Sequence, residues 1–181
     1  MILFFGPPGS GKSVQGELLV KRNNWKWLST GQMFRDSNDP EVLARLKRGE
    51  LIDDELTNKV LDHALQGIDT DNHVVLDGYP RNPSQAEWLR EHLPKHGREI
   101  RCIIVFETPK AELIKRLASR GRAEDTPEVI ERRLAIYERN TQPVLDFYQQ
   151  RGVQIVEVNG LGSVNEVHKR IQQAVERCLP E

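Results

Sequence analysis

The run Gly6-Pro7-Pro8-Gly9-Ser10-Gly11-Lys12-Ser13 follows a short apolar segment, Ile2-Leu3-Phe4-Phe5, and fits the pattern G-x-x-x-x-G-K-[ST]. Glycine lets the backbone turn successive N–H groups toward an anion, because positive φ and close approach cost it little. Lys12 adds a mobile charge for the β- and γ-phosphates of a nucleotide, and Ser13 offers a hydroxyl to Mg²⁺. A helix starting at Lys12 would direct its N-terminal partial positive charge at the same point. Glycine-rich turns also follow strands in sheets that bind nothing, but here every motif position is filled and the strand is in place. The segment from Gly9 through Ser10, Gly11, Lys12 and Ser13 to Val14 therefore reads as a nucleoside triphosphate site.

A second anion site is written further along. Asp77-Gly78 closes the apolar run Val74-Val75-Leu76, a placement suited to a carboxylate that meets Mg²⁺ through its water shell. Arg81 follows within Asp77-Gly78-Tyr79-Pro80-Arg81-Asn82, where a guanidinium can take a phosphate in bidentate fashion. Arg116 and Arg120 are four apart and share one helix face, with Leu113, Ile114 and Leu117 on the apolar side. Arg122 comes just after Gly121, and Arg133 lies one helix later. Phosphoryl transfer passes through a loose, highly anionic transition state, so its catalysis is mostly positioning and charge neutralisation. An arginine-rich cleft in a chain of net charge −1 matches that requirement. A nucleoside monophosphate acceptor needs no general base, since its second phosphate pKa near 6 leaves it largely dianionic at pH 7.

The elements that must position these groups alternate. Apolar runs at 2–5, 73–76, 100–106 and 153–158 read as parallel strands, the last partly alternating as at a sheet edge. Trp25-Lys26-Trp27-Leu28 makes a weaker fifth strand. Asp39-Pro40, Asn82-Pro83, Thr108-Pro109 and Thr126-Pro127 each set a capping side chain before a proline at a first helical position. Ser163 and Glu166 form a capping box for a final helix. Strands alternating with helices imply a doubly wound α/β fold with ligands at the strand carboxyl ends. Residues 31–68 run helical without a sheet strand, and 121–125 form a short charged connection.

Composition bounds the rest. The 181 residues suit one domain, with 38% hydrophobic and 29% charged side chains, ordinary for a soluble globular protein. Balanced charge argues against a nucleic-acid partner, and no apolar run approaches the length of a membrane span. Cys102 and Cys178 read as small hydrophobes or incidental thiols, and no disulfide or cysteine zinc site is expected. With Met1 opening straight into the first strand and no signal segment, a reduced, cytoplasmic location is expected.

Taken together, Gly6–Lys12, Ser29-Thr30-Gly31-Gln32-Met33-Phe34-Arg35, Asp77–Arg81 with Gln85, and Arg116 to Arg133 resemble the adenylate kinases, within the nucleoside monophosphate kinases, essentially end to end. The resemblance implies a three-layer α/β P-loop NTPase fold with a five-stranded parallel sheet. It implies one domain over 1–181, a helical AMP-binding subdomain at 30–68 and a short lid at 121–126. Lys12 and the loop amides would hold ATP phosphates, and Arg116 would lie by the ATP base. Arg120, Arg122 and Arg133 would clamp the transferring phosphoryl group. These four arginines, with Lys12 and Arg81, would form the catalytic set, and Arg122 and Arg133 would also contact AMP. Arg35 and Arg81 would hold the AMP phosphate, beside Gly78, Tyr79 and Pro80. Thr30, Glu50, Leu51, Ile52 and Gln85 would surround the AMP adenine. The Gly162 backbone would contact the ATP adenine, and Asp77 would orient Mg²⁺ through water. Mg²⁺ without zinc, the substrates ATP, AMP and ADP, and a monomer are what such a protein implies.

The chain departs from the family's usual pattern in places. Ser13-Val14 stands where Gly-Thr is usual, the segment between Arg35 and Gly49 is shorter, and only Gly121-Arg122-Ala123-Glu124-Asp125 separate Arg120 from the Thr126 cap. Thr30 and Gln85 favour AMP over the UMP/CMP-specific relatives, which carry a small alanine and an asparagine there. A glutamine amide suits the donor–acceptor edge of adenine. Gln85 has a second reading, since at the third helical position after Asn82 it could close a capping box. A UMP/CMP kinase, a shikimate-type kinase and a nucleotide-binding regulatory module remain alternatives. Guanine readers carry N-K-x-D, whereas Asn58-Lys59-Val60-Leu61 lacks the aspartate.

Overall fold

The computed structural model describes residues 1–122 and 125–179. Five strands form one parallel sheet in the order β2-β3-β1-β4-β5: β1 (Ile2–Phe5), β2 (Lys26–Ser29), β3 (Val74–Asp77), β4 (Cys102–Glu107) and β5 (Gln154–Asn159). Strand β1 lies at the centre, pairing Phe4 with Asp77 on one side and Phe5 with Val105 on the other. The loop after β1 therefore opens at the middle of the carboxyl edge, level with Asp77 and Ser29. All five expected strands are present, each within a residue or two of its expected bounds, and β5 is an edge with alternating burial. Strand ends are set by pairing partners, which explains the small shifts.

Helices cover both faces, so the inner strands are apolar up to the carboxylates Asp77 and Glu107 that end β3 and β4. One face carries Leu3, Leu76 and Ile103 against α4 (Asp54–Gln66), α5 (Pro83–His92) and α7 (Pro127–Gln149) through Leu61, Leu65, Leu89, Val144 and Tyr148. The other carries Ile2, Phe4, Val75 and Ile104 against Leu19 of α1 (Lys12–Asn23) and Val167, Ile171 and Ala174 of α8 (Val164–Cys178). Helix α1 lies so close to β2 that a Cβ on Gly16 would overlap the Trp27 ring, so only glycine fits. Its Gln15 side chain donates to the Val164 carbonyl at 2.9 Å and lies 3.1 Å from His168 Nδ1, joining the phosphate-loop helix to α8.

Between β2 and β3 the chain forms α2 (Thr30–Asp36), α3 (Pro40–Lys47) and α4, as the helical run predicted. Phe34, Val42 and Ile52 form a small core of their own there, flanked by Leu46, Leu56 and Val60. Helix α6 (Lys110–Arg120) ends at Gly121 in the left-handed conformation. Ala123 and Glu124, part of the expected lid, lie outside the described residues.

The caps at Asp39, Asn82 and Thr126 and the Ser163–Glu166 box form as read from the sequence. Thr108 does not. Pro109 occupies the N-cap position of α6, and among the described residues the buried Thr108 hydroxyl has no hydrogen-bond partner. A Cβ on Gly160 would collide with that hydroxyl, so the Thr108 side chain lies against the loop after β5.

The cysteines require a larger correction. Cys102 at the start of β4 and Cys178 at the end of α8 form a disulfide, with Cα atoms 5.6 Å apart. Both are buried in the same core, at 0% and 6% exposure. Spacing along the chain could not reveal this pair, because only the packing of α8 across the sheet brings its end to β4. With a sequence separation of 76, the bridge should contribute about 2–4 kcal/mol. Reduction, or Cys178→Ala, should lower the melting temperature accordingly while leaving ATP binding intact; calorimetry with and without reductant checks both.

Candidate active site

The phosphate loop leaves β1 and closes on α1 with Gly9 at φ 85° and Gly11 at φ 94°. Lys12 folds back over it, its Nζ donating to the Gly6 carbonyl at 2.6 Å, the Pro7 carbonyl at 3.0 Å and Ser10 Oγ at 3.4 Å. Desolvation lowers its pKa to about 8; Arg81, Arg133 and Arg120 push the same way and Asp77 opposes them. Ser10 is buried behind the loop, whereas Ser13 and Val14 face the cleft, Val14 half-exposed.

Asp77 ends β3 directly beside this loop, 7% exposed. Its Oδ2 accepts from Ser29 Oγ at 3.3 Å. Among the described residues, Asp77 Oδ1 is buried with no hydrogen-bond partner. A carboxylate oxygen held without a donor at the edge of a phosphate site fits a hydrated cation, which Mg²⁺ prefers to a full protein cage. No group of three or more His, Cys, Asp or Glu among the described residues is placed to hold a metal ion.

A cleft of about 400 Å³ runs from this loop to the arginines. Lys12, Arg35, Arg81, Arg116, Arg120, Arg122 and Arg133 all line it, although they come from α1, α2, the loop after β3, α6, its following loop and α7. Arg116 is held by Glu112 Oε1 at 2.7 Å and donates to the Gly160 carbonyl at 3.0 Å. Arg170 braces the same loop from the other side through the Asn159 carbonyl at 2.8 Å. Gly162 lies in this loop, exposed and outside the cleft lining. Arg120 makes a two-pronged pair with Asp125, at 2.8 and 2.6 Å, and Arg133 reaches the same carboxylate at 3.4 Å. The Asp125 side chain is 2% exposed.

A smaller adjoining pocket is built from Thr30, Glu50, Leu51, Ile52, Gly78, Arg81 and Gln85. Gly78 sits at φ 81°, and a Cβ there would come within 2.8 Å of Thr30 Oγ1 and 3.3 Å of Arg81 Nη2. Its carbonyl accepts from Thr30 Oγ1 at 3.1 Å and Arg81 Nε at 2.7 Å, which aims the guanidinium along the cleft. Burial pulls Arg81 below the ordinary guanidinium range, partly offset by Asp77, but it stays charged at any physiological pH. Arg35 is oriented by Gln32 Oε1 at 2.9 Å, and Glu50 is paired with Arg48 at 2.7 Å. Tyr79, followed by a cis peptide to Pro80, donates from its hydroxyl to Asn58 Oδ1.

Gln85 does not close a capping box. Asn82 Oδ1 accepts the Gln85 N–H at 2.8 Å as an N-cap should, but Gln85 Oε1 accepts from Arg81 N rather than Asn82 N, at 2.7 Å. Its Nε2 donates to Asp54 Oδ1 at 2.8 Å.

The structure thus gathers nearly all the expected site residues into one cleft and its side pocket, leaving Ser10 behind the loop and Gly162 outside. Sequence reasoning missed several others. Ile136, Tyr137, Asn140 and Thr141 line the cleft from α7, and their helical spacing from Arg133 could have marked them. Asp125 and Asp54 carried no signal beyond being charged.

A phosphate loop at the central strand of a parallel sheet, faced by arginines from separate elements, defines a phosphotransferase of the nucleoside monophosphate kinase class. The family model described as adenylate kinase matches residues 4–153. The chain is 39% identical to the adenylate kinase of Bifidobacterium longum, over 97% of this chain and 99% of that protein. It is 38% identical to the adenylate kinase of Prochlorococcus marinus, over 96% of each, and 37% identical to that of Mycolicibacterium paratuberculosis, over 93% and 95%. The chain belongs to the adenylate kinase family.

Two outcomes follow from the charges. Because burial lowers Lys12 to about 8, the ammonium that phosphates need is lost as pH rises through that value. The kcat/KM for ATP should fall about tenfold per unit above it, whereas kcat at saturating ATP should persist to higher pH because bound phosphates favour the charged form. Asp125→Ala should leave Arg120 and Arg133 facing each other without their shared anion. Thermal unfolding should show a loss of about 1–3 kcal/mol without ligand and a larger rise on adding Mg·ATP than the unaltered protein shows.

Proposed function

We propose that this cleft carries out Mg·ATP + AMP ⇌ 2 ADP, with ATP on the phosphate loop and AMP in the side pocket. The observation that supports this most directly is the pairing of two phosphate-binding ends, Lys12 with its loop and Arg81 with Arg35, across a cavity lined by Arg120, Arg122 and Arg133. A nucleotide switch has no use for the second end.

In this reading Lys12 leaves the Gly6 and Pro7 carbonyls for the β/γ-phosphates, a short swing because those carbonyls already point it into the loop. Arg81 and Arg35 hold the acceptor phosphate, already charged and needing no base. Arg120 and Arg133 exchange the Asp125 carboxylate for phosphoryl oxygens, so the charge that develops in transfer meets cations already in place. Mg²⁺, when bound, neutralises phosphate charge, and Asp77 Oδ1 with the Ser13 hydroxyl would hold it, the carboxylate through water. Arg116 supports the ATP base by bracing the 159–163 loop, whose backbone at Gly162 would meet the adenine edge.

Residues 30–68 act as the AMP-binding subdomain, resting on their own small core. The 121–126 segment acts as a short lid, with Arg122 turned inward. One chain supplies every group named, so a monomer suffices. A cytoplasmic location suits a reaction among adenine nucleotides, and burial shields the Cys102–Cys178 bridge from solvent thiolates.

Initial rates with Mg·ATP and a panel of AMP, CMP, UMP, GMP and shikimate test this reading. AMP should be turned over at least about a hundredfold faster, in kcat/KM, than any other acceptor. Turnover of CMP or UMP instead would move the protein to the pyrimidine enzymes, and ATP binding without any acceptor would make it a binding module.

A further inference from the structure

An amide side chain by itself reads a nucleobase poorly, because it can rotate half a turn and exchange its oxygen for its nitrogen. Adenine offers a donor at N6 and an acceptor at N1; guanine and hypoxanthine offer the reverse, an acceptor at O6 and a donor at N1. A glutamine free to rotate would serve both kinds of purine equally. Gln85 is not free. Its Oε1 accepts the Arg81 N–H at 2.7 Å, and its Nε2 donates to the Asp54 carboxylate at 2.8 Å. Rotated, it would set its NH₂ against the Arg81 N–H and its oxygen against a carboxylate, opposing like poles at both ends. Asp54 is itself anchored, since Asn82 Nδ2 donates to its two oxygens at 3.0 and 3.2 Å. Once these bonds are made, the amide keeps one N–H and one oxygen lone pair for a ligand. Gln85 is 2% exposed and forms part of the wall of the side pocket, so those remaining groups are within reach of a ligand bound there.

We infer that Asp54, at the start of α4, sets the direction of the Gln85 amide and thereby makes the acceptor site select 6-aminopurine over 6-oxopurine monophosphates. Asp54 is a positioning residue: it does not line either pocket, and it acts only through Gln85. The inference rests on the reading that this pocket takes AMP. It also couples the selection to the fold, because Asp54 belongs to the helical segment between β2 and β3 while Gln85 lies on α5 against the sheet.

The test compares AMP with IMP, which have the same ring size and differ in the 6-substituent and the N1 proton. AMP turnover by the unaltered enzyme tests the underlying reading separately, through the same assay. In Asp54→Ala the ratio of kcat/KM for AMP over IMP should fall roughly tenfold or more, mainly through a higher KM for AMP, with the KM for ATP unchanged. Asp54→Asn should retain most of the ratio, because both Gln85 Nε2 and Asn82 Nδ2 donate to the one oxygen Oδ1, which asparagine can replace. A role in stability alone would lower AMP and IMP turnover together and leave the ratio in place. An Asp54→Ala enzyme with an unchanged ratio overturns the inference. So does a folded Asp54→Asn enzyme that loses the ratio fully, which decides the matter even where the alanine variant fails to fold.

Discussion

Cations confined to one cleft repel one another, and much of this structure answers that repulsion. Lys12 and six arginines line a single cavity, and side chains so placed would splay into solvent unless held. Acceptors from the protein restrain Lys12 and most of the arginines. Lys12 is tied to the Gly6 and Pro7 carbonyls, Arg81 to the Gly78 carbonyl, and Arg116 to the Gly160 carbonyl. Asp77 and Asp125 supply the countercharge, one beside the phosphate loop and one between Arg120 and Arg133. Carbonyl acceptors fix direction without cancelling charge, so the cations remain aimed at a space that an anion can enter. This is preorganisation in the electrostatic sense: the dipoles and charges need little rearrangement when phosphate arrives.

The fold makes this possible by dividing labour between its two halves. The sheet supplies rigid points, since β1, β2 and β3 end level with one another and bring the phosphate loop, Ser29 and Asp77 to one edge. Both faces of that sheet are packed by helices, which leaves the carboxyl edge as the place where side chains meet solvent. The helical segment between β2 and β3 has a small core of its own at Phe34, Val42 and Ile52, while Leu61 and Leu65 of α4 tie it to the sheet. Thr30, Leu51 and Ile52 therefore form a wall anchored at both ends. Helix α7 runs alongside and adds a stripe from Arg133 to Thr141. Val14, half-exposed, lines the cleft at the phosphate loop.

The strands, the phosphate loop, the helix caps at Asp39, Asn82, Thr126 and Ser163, and the identity of the arginines were all legible in the linear order of residues. These are local patterns: periodicity, a capping side chain before proline, glycine spacing within a turn. Their energetics act within a few residues, so the linear order contains them. Thr108 shows the limit of such rules, since Pro109 takes the N-cap position of α6 and the Thr108 hydroxyl lies buried against the loop after β5.

The partnerships between distant residues arose only when the helices packed on the sheet. Cys102 and Cys178 looked like incidental thiols until α8 crossed the sheet and set them side by side. Asp125 was one more charge in a short loop until the end of α6 and the start of α7 converged on it. Gln85 had two equally local readings, cap or reader, and neither could mention Asp54, which lies 31 positions away. Short-range physics is carried by neighbours in sequence; orientation and charge balance depend on neighbours in space, and packing the helices on this sheet chooses those.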